Sequence, residues 1–183
     1  MNIVETKLSG VIVIEPKVFG DARGFFMETW NQSRYTDCGL PLNFVQDNLS
    51  FSPKGVLRGL HFQNPNLQGK LVYVLQGDVY DVAVDIRVGS PTFGQWVGVN
   101  LSSENKRQFY IPAGFAHGFC VISETALFAY KCTDVYNPEA EHGVIWNDPD
   151  LGIEWPVEEP VLSEKDKMYG RLKDIEQVRL PKY

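Results

Sequence analysis

The sequence predicts a mainly β protein of the sandwich or barrel class. Short extended runs, separated by Gly, Pro, Asn and Asp, follow one another along most of the 183 residues. In the run Val79–Ile86 the even-numbered positions are Tyr, Val, Val and Ile, whereas the odd-numbered ones include Asp81 and Asp85. Alternation of this kind is typical of a strand. Helical periodicity is sparse, and many short strands with turn residues between them favour packed antiparallel sheets.

The strands are predicted one by one from these extended runs. In chain order they are Val11–Glu15, Gly24–Trp30, Leu57–Gln63, Leu71–Gln76, Val79–Ile86, Trp96–Asn100, Gln108–Ile111, Gly118–Ile122 and Leu127–Cys132. The break Gln76-Gly77-Asp78 separates two strand-like runs and predicts a tight hairpin. A few short helices are expected: Asn31–Thr36 is one, and Ser163 can cap another that begins with Glu164-Lys165-Asp166.

Length and charge limit the domain count and the class of partner. A chain of 183 residues suits one domain, 1–183, with a sizeable core. Lys and Arg total 17 against 23 Asp and Glu, which gives a formal net charge of -6. Such a surface argues against nonspecific binding to nucleic acid and against an anionic membrane surface. An anionic small substrate is still possible, because a few arginines can gather in one pocket.

Cysteine usage and the N-terminal sequence bear on the compartment. The three cysteines are Cys38, Cys120 and Cys132, and no two of them have CxxC spacing. Cys120 stands in an apolar run, which predicts a buried free thiol and a reducing compartment. No basic segment followed by an apolar stretch begins the chain, and no apolar run approaches the ~20 residues that span a bilayer. We therefore expect a cytoplasmic protein without a membrane partner.

Several framework residues resemble those of the cupin-type jelly roll, a double-sheet antiparallel β-barrel. They are Gly77 and the stretch 112–117, which has the form Pro-x-Gly-x-x-His and ends at His117. Metal-binding cupins supply His-x-His, then a glutamate, then a distant histidine. Here the corresponding stretch reads His61-Phe62-Gln63, and Lys70 stands near the position of the acid. A divalent metal needs three or four deprotonated donors, so no metal is expected.

Longer motifs carry a more specific resemblance. They are Phe19-Gly20-Asp21-Ala22-Arg23-Gly24-Phe25-Phe26, Gln46-Asp47-Asn48, Gly55-Val56-Leu57-Arg58-Gly59-Leu60-His61, Asp81–Arg87, Trp96-Val97-Gly98-Val99-Asn100-Leu101, Ile111–Phe119, Tyr130-Lys131 and Ile145-Trp146-Asn147-Asp148-Pro149. These segments span nearly the whole chain, in order, and they resemble the dTDP-4-dehydrorhamnose 3,5-epimerase family. The resemblance implies a dTDP-sugar substrate and inversion of two carbons beside a ketone, without a cofactor.

The implied reaction explains the catalytic residue types. A ketone at C4 acidifies the protons on C3 and C5, so inversion needs a base, an acid on the opposite face and a cation at the enolate oxygen. By resemblance, His61 is the base, and histidine's unperturbed pKa of ~6.5 suits that task. Asp166 resembles the acid that orients this histidine. Tyr130 matches the opposing acid, and Lys70 is placed to stabilise the enolate.

The resemblance also implies residues that bind the substrate. Arg23 and Arg58 would hold the diphosphate, since guanidinium groups suit phosphate oxygens. The remaining positions that match substrate contacts are Phe26, Glu28, Gln46, Asp47, Asn48, His117, Glu141 and Lys165. Arg58 and His61 lie three residues apart, so a regular strand would direct them to opposite faces. Both serve one pocket if the strand bulges, and Gly59 between them permits a bulge.

A homodimer is implied as well, with Arg23 and Phe26 donated to the neighbouring chain's pocket. The segment 24–30 is aromatic and strand-like, and a partner strand would satisfy its backbone and its rings. Three alternatives stay open: a 3- or 5-mono-epimerase or ketoisomerase acting on another dTDP-4-keto-6-deoxy sugar, a sugar-binding cupin without catalysis, and a metal-dependent cupin oxygenase.

Overall fold

A computed structural model describes residues 1–40 and 43–183, and its architecture is mainly β with antiparallel sheets, as predicted. The strands are β1 (Asn2–Glu5), β2 (Ile12–Glu15), β3 (Val18–Asp21), β4 (Gly24–Met27), β5 (Gln46–Pro53), β6 (Leu57–Gln63), β7 (Lys70–Gln76), β8 (Asp78–Asp85), β9 (Trp96–Ser102), β10 (Gln108–Ile111), β11 (Phe115–Val121), β12 (Thr125–Cys132) and β13 (Glu141–Gly143). The helices are α1 (Gln32–Thr36) and α2 (Glu164–Lys167), and two 3-10 turns follow, Leu172–Asp174 and Gln177–Arg179.

Two sheets face each other across the core. One has six strands in the order β1-β2-β10-β7-β12-β5, and the other has five in the order β13-β6-β11-β8-β9. Strands β3 and β4 form a separate two-stranded sheet, the β3–β4 hairpin. No helix in the described ranges is long and apolar enough to cross a bilayer.

The predicted strands all exist, two of them, Leu57–Gln63 and Gln108–Ile111, with the predicted bounds and the others with shifted ends, but four further strands were missed. The segment predicted as Gly24–Trp30 ends as a strand at Met27. The strands that the sequence patterns did not predict are β1, β3, β5 and β13. Both predicted helices are present, with Asn31 and Ser163 as side-chain caps.

The predicted hairpin at Gln76-Gly77-Asp78 is wrong. The turn is tight, but β7 belongs to the six-stranded sheet and β8 to the five-stranded sheet, so the connection passes from one sheet to the other. Gly77 has φ +82°, and a Cβ there would lie 2.1 Å from the carbonyl oxygen of Thr125. The glycine is needed for this close approach, and the local sequence cannot tell which strands pair beyond the turn.

Apolar side chains fill the space between the sheets and leave one end polar. The central cluster includes Val72, Val74, Phe109, Phe119 and Phe128, all buried. A second cluster covers the outer face of the five-stranded sheet, so β8 is buried on both faces. The alternation seen in the sequence is therefore real, and its acidic positions point toward the space between the sheets.

Candidate active site

A pocket of about 310 Å³ opens at the polar end of the inter-sheet space. Its walls come from both sheets and from the loop after β12, and the lining residues are Gln46, Asn48, His61, Phe62, Gln63, Gln68, Lys70, Tyr130, Cys132, Tyr136 and Glu141. Strand alternation explains the mixture, because side chains two residues apart share a face. On β7, for example, Lys70 lines the pocket while Val72 and Val74 pack into the core below it.

His61 and Asp166 form a hydrogen-bonded pair, as the sequence predicted. The distance from His61 Nε2 to Asp166 Oδ1 is 2.6 Å. The Asp166 carboxyl is buried, and its backbone N–H donates to Ser163 Oγ at 3.1 Å, which fixes the first turn of α2. Burial acts to raise the pKa of Asp166, but hydrogen bonds from His61, from Ser163 and from the backbone of Gly59 outweigh it and lower the pKa. Asp166 is thus an anion at neutral pH, suited to orient and stabilise an imidazolium.

A β-bulge at Gly59 lets Arg58 and His61 line one groove beside the pocket. On β11, His117 and Phe119 are two residues apart, whereas their partners on β6, His61 and Arg58, are three apart. Gly59 has φ +127°, and a Cβ there would lie 2.5 Å from the Cα of Gly118 and 2.7 Å from the carbonyl oxygen of His117. The bulge expected from the spacing is confirmed.

Tyr130 and Lys70 lie in the wall opposite His61. Both belong to the six-stranded sheet, on β12 and β7, whereas His61 belongs to the five-stranded sheet. Burial raises the pKa of the Tyr130 phenol, so the group stays protonated at neutral pH. Burial also lowers the pKa of the Lys70 ammonium, while nearby acidic groups oppose that change.

Glu141 accepts hydrogen bonds from two further groups beside the pocket. Lys165 Nζ and the Tyr136 hydroxyl both donate to Glu141 Oε2, at 2.7 and 2.8 Å. Burial acts to raise the pKa of Glu141, but these two bonds lower it below the usual range. Lys165 directly precedes Asp166 in α2, so the network connects the dyad to Glu141 and Tyr136, which line the pocket.

The structure separates the other predicted binding residues into groups. Gln46 and Asn48 line the pocket, and Gln46 Nε2 donates to Asn48 Oδ1. Asp47 between them points to the other face, where Lys131 Nζ binds it at 2.9 Å. Arg58 donates to Ser52 Oγ at 3.1 Å and lines a neighbouring groove with His61.

Three predicted residues lie away from this pocket. Arg23 is 90% exposed in the turn of the β3–β4 hairpin, where its only ion pair in the described structure is with Asp21. Phe26 is 70% exposed on the same hairpin. Glu28 pairs with Arg34 and borders a separate groove that also contains Phe26. In one chain these residues therefore do not reach the His61 site.

The pocket's donor set does not resemble a metal centre. Within residues 1–40 and 43–183, no three His, Cys, Asp or Glu side chains cluster with metal-binding geometry. Gln63, at the position of a cupin metal ligand, is committed elsewhere: its amide donates to the backbone carbonyls of Asn66 and Val135.

Comparison with known proteins decides the family. The sequence profile described as dTDP-4-dehydrorhamnose 3,5-epimerase matches residues 5–174 of this chain. The chain belongs to this family. A member from Pseudomonas aeruginosa named dTDP-4-dehydrorhamnose 3,5-epimerase is 59% identical over 169 residues, which cover 91% of this chain and 93% of that protein. A member from Streptomyces niveus named dTDP-4-dehydrorhamnose 3-epimerase is 43% identical over 169 residues, 91% of this chain and 82% of that protein.

Solved epimerase structures share the fold. The crystal structure of dTDP-6-deoxy-D-glucose-3,5-epimerase from Legionella pneumophila, in complex with dTDP-4-keto-L-rhamnose, superposes with a TM-score of 0.97 at 58% identity. The match covers 100% of this chain and 98% of that one. The cupin-type fold expected from the sequence and the epimerase class of the chain are therefore confirmed.

Sequence reasoning missed some residues of the candidate site. Tyr136 and Gln68 line the pocket, and Asp81 is hydrogen-bonded to His117 beneath it. Tyr136 and Gln68 stand in loops, where no periodicity marks them. Asp81 did carry a signal, because it is an acidic residue within the strongly apolar strand β8.

Proposed function

We propose that this epimerase-family protein inverts C3 and C5 of dTDP-4-dehydro-6-deoxy-D-glucose and releases dTDP-4-dehydro-L-rhamnose. The observation that carries the proposal is the placement of the His61–Asp166 pair and Tyr130 on opposite walls of one pocket. Inversion beside a ketone requires removal of a proton from one face of the ring and delivery to the other. A base and an acid on facing sheets meet that requirement.

His61 removes the first proton. The C4 ketone acidifies the C–H bonds at C3 and C5, and the electrons move onto the C4 oxygen as the enolate forms. The Asp166 carboxylate, 2.6 Å away, stabilises the imidazolium and holds the ring toward the pocket. Lys70, on the opposite sheet, supplies positive charge to the enolate oxygen. A cation already in position for developing charge lowers the barrier without reorganisation.

Tyr130 returns the proton on the other face. Its phenol is held protonated by burial, so it is ready to donate when the enolate collapses. Solvent then restores the phenol and removes the proton from His61. Every step moves protons alone, with no net redox change, so we propose that no cofactor takes part.

The remaining polar groups orient the nucleotide sugar. We assign Arg58 to the diphosphate, since it lines one groove with His61 and Asp166 and, among the described residues, its side chain donates one hydrogen bond, to Ser52, which leaves other donors for phosphate. Gln46, Asn48 and the Glu141–Lys165 pair present donors and acceptors around the same opening. His117, beneath the pocket, is assigned to hold its floor.

A mono-epimerase is the second candidate, favoured by the family member from Streptomyces niveus named as a 3-epimerase. Incubation with dTDP-4-dehydro-6-deoxy-D-glucose in heavy water separates the two. Double inversion predicts deuterium at both C3 and C5 and a product of the L-rhamno configuration by NMR. Exchange confined to one carbon would assign a mono-epimerase, and no exchange at either carbon would contradict both.

We further propose that the single domain 1–183 works as a homodimer. The β3–β4 hairpin exposes Phe25 and Phe26 at 62% and 70%, and the six-stranded sheet exposes Leu49 and Phe51 on its outer face at 61% each. Exposed apolar rings of this size are typical of an interface. Arg23 at the hairpin tip would then complete the partner's pocket with a phosphate-binding group.

Mixing two inactive variants tests the shared site. Chains with Arg23→Ala and chains with His61→Ala are inactive alone, but one pocket of a mixed dimer combines intact Arg23 with intact His61. Random reassociation should restore about a quarter of the wild-type rate, because half of the dimers are mixed and one pocket in each is intact. A mixture that stays inactive although mass spectrometry detects mixed dimers would refute the donation.

The cysteines support a proposed cytoplasmic location. Cys38, Cys120 and Cys132 are all free, and the last two are buried. Free thiols persist in a reducing compartment.

A further inference from the structure

A second carboxylate–imidazole pair lies behind the pocket. His117 Nε2 is 2.9 Å from Asp81 Oδ1 and 3.1 Å from Oδ2. Asp81 is 0% exposed, and the His117 ring is stacked on Phe128 of the central core. Neither group lines the pocket surface, and the reaction steps given above assign no role to Asp81.

Strand register places this pair directly beneath the catalytic groups. His117 on β11 is the cross-strand partner of His61 on β6, and Asp81 is on the neighbouring strand β8. Asp81 and Ala83 share the inward face of β8, and Ala83 belongs to the central cluster. Lys70 projects into the same space from the facing sheet, with Val72 and Val74 on its side of β7. Asp81 and Lys70 therefore face the same inter-sheet space, where the charge of each acts on the other.

Other charged groups around the pocket are already paired, and this leaves Asp81 and Lys70. Asp166 is paired with His61, and Glu141 is paired with Lys165. In the part of the chain that the structure describes, Asp81 has no ion-pair partner except His117, and Lys70 has none within 4 Å. Burial lowers the pKa of His117, which favours a neutral ring that donates its N–H to the carboxylate. Burial raises the pKa of Asp81, while His117 and Lys70 oppose that change. An ionised Asp81 needs a second cation to balance it, and Lys70 is the cation on the facing sheet.

We propose that Asp81 is a positioning residue that keeps Lys70 in its ammonium form, so that the cation is available to the enolate oxygen. The inference rests on the proposed epimerase function and deepens it. Lys70 is partly exposed at the pocket wall, and its burial lowers its pKa. A lysine withdrawn from solvent with no anion nearby loses its proton more readily than a free lysine. A neutral amine would stabilise an enolate far less than an ammonium does. The buried Asp81 carboxylate prevents Lys70 from losing its proton.

Several strands around Lys70 carry titratable groups. The titratable groups that face it are Tyr130 and Cys132 on β12, Glu141 on β13, His61 on β6, His117 on β11 and Asp81 on β8. Burial raises the pKa of both the Tyr130 phenol and the Cys132 thiol, so neither is an anion at neutral pH. Glu141 is already neutralised by Lys165. The loss of Asp81 therefore removes the one uncommitted negative charge of this set.

The pH profile of Asp81→Asn tests the inference. Because Lys70 acts as a cation, activity falls as pH rises through its pKa, and removal of the anion should move this alkaline limb down by at least about one pH unit. Asp81→Glu should restore the limb. Asp85→Asn is the matched control, since Asp85 is a buried carboxylate of the same strand held by Arg87 instead. A uniform loss of rate with the limb unmoved would mean that Asp81 is merely structural and would overturn the proposal.

A direct titration of Lys70 keeps the test decisive if Asp81→Asn does not fold. Lysines are dimethylated with ¹³C-formaldehyde, and the Lys70 resonance is assigned by its absence in Lys70→Arg. In wild type we expect Lys70 to be protonated at pH 7, and in folded Asp81→Asn we expect its titration midpoint to lie at least about one unit lower. A neutral Lys70 at pH 7 in wild type, or an unchanged midpoint in the variant, would overturn the inference. Failure of the epimerase proposal is distinguishable, because wild type would then show no exchange at C3 or C5.

Discussion

Replacement of Gly59 by alanine should disable the site through the backbone. Gly59 has φ +127°, a region that L side chains rarely adopt, and it forms the bulge that aligns Arg58 with His61. The new Cβ would lie 2.5 Å from the Cα of Gly118 and 2.7 Å from the carbonyl oxygen of His117. Both neighbours are backbone atoms of β11, which cannot move aside as a flexible side chain could. The β6–β11 ladder must open at the bulge, and His61 moves with it.

The structure sets the size of the effect. The positive φ costs about 1–3 kcal/mol for a residue with a Cβ. Overpacking against a fixed strand costs a further ~1–3 kcal/mol. We therefore expect Gly59→Ala to lower the free energy of unfolding by about 2–6 kcal/mol, the sum of the two terms. Turnover should fall by at least about a hundredfold, since a displacement of ~1 Å at a catalytic group costs that much.

Gly55→Ala is the matched control. Gly55 also has a positive φ, +79°, but no heavy atom lies within 4 Å of the point where its Cβ would stand. Gly55→Ala should lower the free energy of unfolding only by the cost of the positive φ, about 1–3 kcal/mol, and should keep its activity. Urea unfolding and the exchange assay are run on both variants. Equal stabilities for the two, or full turnover by folded Gly59→Ala, would refute the argument that the bulge holds His61 in place.

The remaining predictions concern metal, acid stability and capping. We expect no stoichiometric transition metal and full activity with a chelator, because Gln63 and Lys70 occupy ligand positions; activity that follows metal occupancy would contradict this. Bonds from Arg87, Ser90 and Thr92 outweigh burial and lower the pKa of Asp85 from 3.8 to about 2. Its stabilisation of about 2 kcal/mol is present above pH 4 and lost as pH falls through about 2; urea unfolding of wild type and Asp85→Asn should converge there, and a constant difference would refute it. Ser163→Ala should cost about 1 kcal/mol and slow turnover, since it frees the helix turn that holds Asp166; unchanged rate and stability would argue against the cap.

More of the candidate site than of the strand connections could be predicted from the sequence. The need for Arg58 and His61 to serve one pocket, with a glycine between them, was enough to predict the bulge. The dyad of His61 and Asp166 spans 105 residues, and only the family resemblance could join them. No periodicity relates a strand residue to one in a distant helix.

The errors have physical causes. The hairpin at Gly77 failed because a turn signal is local, whereas the choice of sheet depends on long-range pairing. Strand β5 was missed although Leu49 and Phe51 alternate with polar residues. Its polar side chains face inward at the pocket and its apolar ones face outward, the reverse of the usual pattern. We assign the apolar outward face of β5 to the proposed dimer interface.

The central claim is that His61 and Tyr130 act on opposite faces of the substrate, and one measurement tests it most directly. Deuterium exchange and inverted product are counted together for wild type, His61→Ala and Tyr130→Phe in heavy water. The account predicts that folded His61→Ala loses exchange at both carbons, whereas Tyr130→Phe keeps exchange while inverted product falls. Near-wild-type exchange by His61→Ala, or full product formation by Tyr130→Phe, would contradict it.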